Sequence, residues 1–233
     1  MKYVVSNECL EVEVGEKQKP TKRKASEPTV DCKKTKIRGE ANTFLKRVYV
    51  MGDGTSGQLG LGSDVIFSRE LKNVEDLNDF NVLEAVGGGM HTVVRTSCGK
   101  ILTFGCNDQG VLGRETTDEL DWFIPQPVTS IQQHHVTLVT SGDSHVAVAT
   151  SDGLLFVWGN FRLENGNCHL FFDNPGSTSP IPCHVPDAVT SISSGCNHLL
   201  GPVSVGSSGG FKNAAWLSVN FSQYFHFLRS SLG

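Results

Sequence analysis

GGGMHTVVRTSCGKILTFGCNDQGVLG, Gly87 to Gly113, is the stretch that decides the fold of this chain. It has a second copy, SGDSHVAVATSDGLLFVWGNFRLENGN, running from Ser141 to Asn167. His91 and His145 each stand eight residues before a turn glycine, Gly99 or Gly153. Those glycines stand six residues before a second glycine, Gly105 or Gly159. Half copies flank the pair: VYVMGDGTSGQLG (Val48 to Gly60) supplies the back of a unit and SSGCNHLL (Ser193 to Leu200) the front. The histidines at 91, 145 and 198 are 54 and 53 residues apart, and the glycines at 52, 105 and 159 are 53 and 54 apart. Two independent markers on one period identify an internal repeat.

Each unit has a direct physical reading. An apolar run follows Gly-x-x-His, then a Ser-x-Gly turn, then a second apolar run. Two β-rich runs joined by a short glycine turn form a hairpin. Neither run alternates cleanly, so burial on both faces is expected. A polar, glycine-rich excursion follows, and weaker strands (HHVTLVT, DAVTSIS) lead into the next Gly-x-x-His. Three or four short strands per unit of about fifty residues predict an all-β chain built as a partial β-propeller of four-stranded antiparallel blades.

Composition narrows the class. The chain has 233 residues, 38% hydrophobic content, 25 glycines and seven cysteines without a Cys-x-x-Cys pair. The cysteines read as reduced thiols of a nuclear or cytosolic protein. Cys168-His169 and Cys183-His184 lack metal-site spacing, so no metal is expected. No apolar run is long enough for a membrane helix, and no triad, P-loop or dinucleotide fingerprint points to an enzyme acting on a small molecule. No cofactor is expected.

The net charge of −4 hides an asymmetry. Residues 1–47 hold twelve Lys/Arg against seven Asp/Glu, and the remainder eight against seventeen. Lys17 to Arg38 carries nine basic and two acidic residues among prolines and polar residues. Such a stretch buries no core, so residues 1–46 are expected to be a disordered tail. Lys22, Arg23 and Lys24, then Lys33, Lys34 and Lys36, are spaced as in a bipartite nuclear import signal. The same charges would attract a phosphate backbone without reading its sequence. A solvated tail without a receptor is the plainer alternative.

GQLGLG (Gly57 to Gly62), GGMHTV (Gly88 to Val93), FGCNDQGVLGR (Phe104 to Arg114), SGDSHVA (Ser141 to Ala147) and VWGNFRLENG (Val157 to Gly166) resemble the regulator of chromosome condensation family. The resemblance runs from about Val48 to Leu200. It implies a seven-bladed propeller of which about the first three blades, residues 47–200, are present here. It also implies guanine-nucleotide exchange on the small nuclear GTPase Ran. The implied location is the nucleus, on chromatin, with some of the protein in the cytoplasm. Implied partners are Ran, an import receptor, and chromatin through histones and the DNA phosphate backbone. No membrane and no small-molecule substrate are implied.

Residue by residue, the resemblance places Asp143 as a principal exchange residue and His91 on the same face. It places Asn160, Phe161, Arg162, Glu164, Asn165 and Gly166 in a wedge that presses on the GTPase. The residues alone leave a plainer reading open for each. Gly-x-x-His recurs in every unit, so its histidine also suits a structural hydrogen bond at a blade corner. Asp143 corresponds to Gly89 and Cys196 in the other units, so the fold does not demand an aspartate there. It is available for binding, or it caps a turn.

Two positions depart from the family. Thr55 and Asn197 stand where it has aspartates, which should weaken exchange. After Leu200 the chain reads GPVSVGSSGGFKNAAWLSVNFSQYFHFLRSSLG, and residues 201–233 are expected to leave the repeat, with Asn213 to Leu228 as helix or ill-fitting strand. An open arc of blades would expose strand edges. Besides exchange, two functions therefore remain open on sequence: an interaction module without exchange activity, or a truncated product without function.

Overall fold

A computed structural model describes residues 2–8, 45–162, 168–170, 179–183, 188–204, 214–219 and 226–229. Among them the chain is all-β, with three short 3-10 turns at Glu75–Leu77, Glu119–Phe123 and Thr129–Ile131. The strands form four successive antiparallel sheets. The second sheet shows the plan: β4 (Val82–Gly87), β5 (His91–Thr96), β6 (Ile101–Gly105) and β7 (Gln126–Pro127) pair in chain order. In the third, β8 (Val136–Ser141), β9 (His145–Thr150) and β10 (Leu155–Arg162) repeat it. There β10 pairs with β12 (Ile181–Cys183) along its first half and with β11 (Cys168–Leu170) along its second.

The two outer sheets add to the expectation. In the first, β2 (Leu45–Asp53) and β3 (Phe67–Asn73) are joined by β1 (Lys2–Glu8). The β-prone KYVV segment thus forms a strand at the head of a stretch expected to be disordered. The basic cluster from Lys22 to Lys36 lies outside the described residues. In the fourth sheet, β13 (Ala188–Val189) and β14 (Ser193–Ser194) pair with β15 (Leu199–Ser204), followed by β16 (Ala214–Val219) and β17 (His226–Arg229). Part of the stretch read as lying beyond the repeat therefore runs in the same strand order as the repeats.

Alternate residues of the middle strands feed different cores, which explains why their sequences do not alternate. Val94, Leu102 and Phe104 pack with Val48, Val50 and Leu59 of the first sheet. Val93 and Ile101 pack with Val146, Val148, Phe156 and Trp158 of the third. Ala147, Leu155 and Val157 turn towards Leu199 of the fourth. The second and third sheets are each sandwiched between two neighbours, so both of their faces are apolar. Each fully buried large side chain contributes roughly 1.5–3 kcal/mol.

Local chemistry closes the hairpins. Gly99 (φ +73°) and Gly153 (φ +85°) take the left-handed turn position. Their N–H groups donate to the Thr96 and Thr150 carbonyls, both at 3.0 Å. The hydroxyl oxygens of those threonines accept from the N–H groups of Lys100 and Leu154, at 3.0 and 3.1 Å.

The sheets lock through the Gly-x-Leu-Gly loops. A Cβ on Gly60 would sit 2.8 Å from the Phe104 ring, and one on Gly113 2.7 Å from Trp158 Nε1. Trp158 Nε1 also donates to the Val111 carbonyl at 2.7 Å. In these two units the aromatic just before the strand-ending glycine, Phe104 or Trp158, is therefore seated on the loop of the unit before.

One cysteine departs from expectation. Cys98, in the turn after β5, is disulfide-bonded, whereas Cys106, Cys183 and Cys196 are free.

Candidate functional site at the blade corners

Each Gly-x-x-His segment makes one tight corner. Gly88, Gly142 and Gly195 donate to the carbonyls of His91, His145 and His198 at 2.9, 2.8 and 2.9 Å. Glycine is needed because a Cβ at any of these positions would collide with the ring of its own histidine.

The corners are strung together. Gly89 N–H donates to the Asp143 carbonyl, and Asp143 N–H to the Cys196 carbonyl, both at 3.0 Å. The three residues that occupy one repeat position thus form a row from unit to unit. This clamps the Asp143 backbone from both sides. Its side chain is exposed, and no described group hydrogen-bonds its carboxylate.

His91 lies beneath this row, 1% exposed. Its Nε2 is 2.6 Å from Ser141 Oγ in the next corner. That hydroxyl also donates to the His145 carbonyl at 3.3 Å. Burial, reinforced by the charge of nearby His145, lowers the His91 pKa to about 3. Burial, then His198, lowers that of His145 to about 4. Both rings are therefore neutral at neutral pH.

A cavity of about 170 Å³ opens between these corners. Asp143 and Ser144 form one wall, Met90 and His91 another, and Asp108 and Gln109 a third. Asp143 and His91, both singled out from sequence, share this cavity. Asp108 and Gln109 were missed because they sit in a polar loop that reads as an ordinary excursion. Their only signal is position, on the loop that follows a strand-ending glycine. Burial, with a further push from the Asp108 carboxylate, raises the Cys106 pKa at the cavity wall.

The altered positions adjoin the same face. Thr55 donates twice to Asp53 Oδ1, from N–H and Oγ1, each at 2.8 Å. These bonds hold the Asp53 carboxyl below the usual carboxylate range. A carboxylate therefore remains on this loop, two residues before the position where the resemblance expects one. Ser56, next along, contacts Met90 Sδ at 3.7 Å, at the cavity wall. Asn197 follows Cys196, whose carbonyl receives the Asp143 N–H.

Beyond Gly159 the third unit departs from the others. β10 continues to Arg162 and forms a hairpin with β11, pairing Asn160 with Leu170, Phe161 with His169 and Arg162 with Cys168. Asn160 and Phe161 are buried, at 5% and 0% exposure. Glu164, Asn165 and Gly166 lie outside the described residues.

The repeat profile of the regulator of chromosome condensation matches residues 47–95 and 98–149. The chain carries repeats of this family over those residues. The mouse regulator of chromosome condensation is 39% identical over 169 residues, covering 72% of this chain and 39% of its own length. The chain thus spans about two fifths of that relative. The human X-linked retinitis pigmentosa GTPase regulator is 35% identical over 119 residues, 51% of this chain and 11% of that protein. Among solved structures, yeast Prp20p, described with its binding to Gsp1p and histones, superposes with a TM-score of 0.61 at 20% identity. That match covers 73% of this chain and 41% of the yeast chain, and it shows the propeller fold.

Proposed function

We propose that this chain acts on the Ran class of GTPase as a nucleotide-exchange factor at chromatin. One observation carries the reading: Asp143, held by its backbone on both sides, presents a carboxylate unpaired among the described residues at a cavity beside a strand hairpin. The family's repeats support it. Exchange makes and breaks no bond; it requires only that the protein bind the nucleotide-free GTPase better than the loaded one. Asp143, joined by Asp108, would compete for the cationic groups around the nucleotide, while the hairpin from Arg162 onwards presses beside it. His91 supports the corner from below. In this reading a basic segment within residues 1–46 serves import and phosphate contact, the repeats begin at 47, and the stretch after 200, read from sequence as divergent, continues their strand order. The protein would be nuclear and chromatin-associated, with some in the cytoplasm.

The second reading is an interaction module without exchange activity. It is favoured by Thr55 and Asn197, and by the occurrence of the same repeats in other proteins. The release of fluorescent GDP from Ran separates the two. Two lost hydrogen bonds to charged groups, at roughly 1.5–3 kcal/mol each, should make release on the order of 10²-fold or more slower than by a relative carrying both aspartates. Asp143→Ala should remove the remaining acceleration while leaving the β-sheet circular dichroism unchanged. If Asp143→Ala matches its parent, the site assignment falls; binding to Ran without any acceleration would favour the module.

A further inference from the structure

The first unit's strand ends at Asp53 and the second's at Gly105, each within one residue of the shared glycine position. The third continues through Asn160 and Phe161 into the hairpin. These two residues grip the cavity wall. Asn160 N–H donates to the Ser144 carbonyl at 2.7 Å. Asn160 Nδ2 donates to Gln109 Oε1 at 2.6 Å. The Phe161 ring stacks on His145, with centroids 3.9 Å apart and planes 20° from parallel. Ser144 and His145 immediately follow Asp143, and Gln109 adjoins Asp108.

His145 gives up something for this stack. Its counterpart His91 bonds to a serine hydroxyl of the next corner. Neither His145 nitrogen has a hydrogen-bond partner among the described residues, and neither does Ser194 Oγ, which stands where Ser141 stands for His91. An unpaired buried polar group is costly. At this corner the aromatic contact replaces the polar one.

We infer that Asn160 and Phe161 are positioning residues, which couple the hairpin to the Asp143 corner without touching the partner. The inference deepens the exchange reading and rests on it. Movement imposed on the hairpin reaches Ser144 through a main-chain bond and His145 through a ring face. Both lie within two residues of the carboxylate that would act. Being buried, neither side chain is available to a partner surface.

The test uses the full chain. Phe161→Leu removes the ring, and Asn160→Ala removes only the bond to Gln109. Each should lower the maximal GDP-release rate by about 10-fold while the half-saturating Ran concentration changes less than about 2-fold, the pattern of an interaction used only on the way to the empty state. The ring-current shift of the His145 carbon-bound protons should be lost in Phe161→Leu and kept in Asn160→Ala. Loss of that shift with an unchanged maximal rate overturns the inference, as does a change confined to half-saturation. If Phe161→Leu fails to fold, Asn160→Ala decides alone. If the parent itself releases no GDP, the exchange reading falls and coupling is read from amide hydrogen exchange. Faster exchange at Asp143 and Ser144 in either variant then supports the coupling, and unchanged rates overturn it.

Discussion

His91 and His145 occupy the same position in successive repeats, are equally buried, and are held differently. His91 faces a serine hydroxyl at 2.6 Å; His145 faces a phenyl ring at 3.9 Å with no hydrogen bond on either nitrogen among the described residues. The backbone of the two corners is the same, down to the glycine N–H that closes each. What differs is the chain arriving from Gly105 and from Gly159. The first turns away at Cys106; the second runs on and lays Phe161 over the ring. A repeat therefore fixes where a side chain sits and leaves its bonding to whatever the loops deliver.

The largest effect expected from this pair is shared by both. Each histidine has a folded pKa far below its ordinary 6.5. As pH falls through 6.5, the unfolded chain takes up these protons and the folded chain does not. Stability should therefore be complete above about 6.5 and fall towards pH 4, at roughly 1.4 kcal/mol per pH unit for each histidine. Urea melts at pH 7.5, 5.5 and 4.5 would measure this. A double variant, His91→Phe with His145→Phe, should flatten the fall; an unchanged slope would mean the rings are accessible to protons when folded.

The single substitutions should then divide the pair. His91→Phe leaves Ser141 Oγ without its ring partner and should cost about 1–3 kcal/mol. His145→Phe keeps a ring against Phe161 and removes two unpaired nitrogens, so its midpoint should match or exceed the parent's. Equal losses in the two variants would erase the distinction drawn here.

A smaller effect comes from the serines. Ser141→Ala should cost about 1 kcal/mol, the net worth of an ordinary hydrogen bond. Ser194→Ala removes a buried hydroxyl that has no partner among the described residues, and it should leave stability unchanged or slightly raised. A loss at Ser194 as large as that at Ser141 would indicate that His145 and Ser194 do bond in solution.

Much of this was legible in the sequence because the repeat is written in local chemistry. The turn glycines, the two-sided apolar strands and the Gly-x-x-His corners each depend on residues a few places apart. The meeting of Asp143 and His91 was legible only through family resemblance. Their cavity is assembled across units by backbone bonds such as Gly89 to Asp143, and periodicity does not encode those. Asp108 and Gln109 were overlooked for the same reason. The burial of Asn160 and Phe161 was hidden because a polar loop and a strand that overshoots its sheet look alike until their partners are known. From sequence, Asn213 to Leu228 reads only as helix or ill-fitting strand, because an interrupted register masks the repeat. His198 still precedes Gly206 by the usual eight residues, a sign that the repeat was not yet spent.

The seating of Phe104 on Gly60 and of Trp158 on Gly113 bears on how a gene of this kind can change length. Residues 61–113 hold one aromatic key and one glycine keyhole. Duplicating that segment in frame yields a copy whose key fits the keyhole before it and whose keyhole accepts the key after it. Removing it restores the earlier match without a new seam. A deletion of half that length leaves a key against a closed surface, or a keyhole unfilled. Length in such a lineage should therefore change by whole units, with tolerated breakpoints falling just after Gly-x-Leu-Gly.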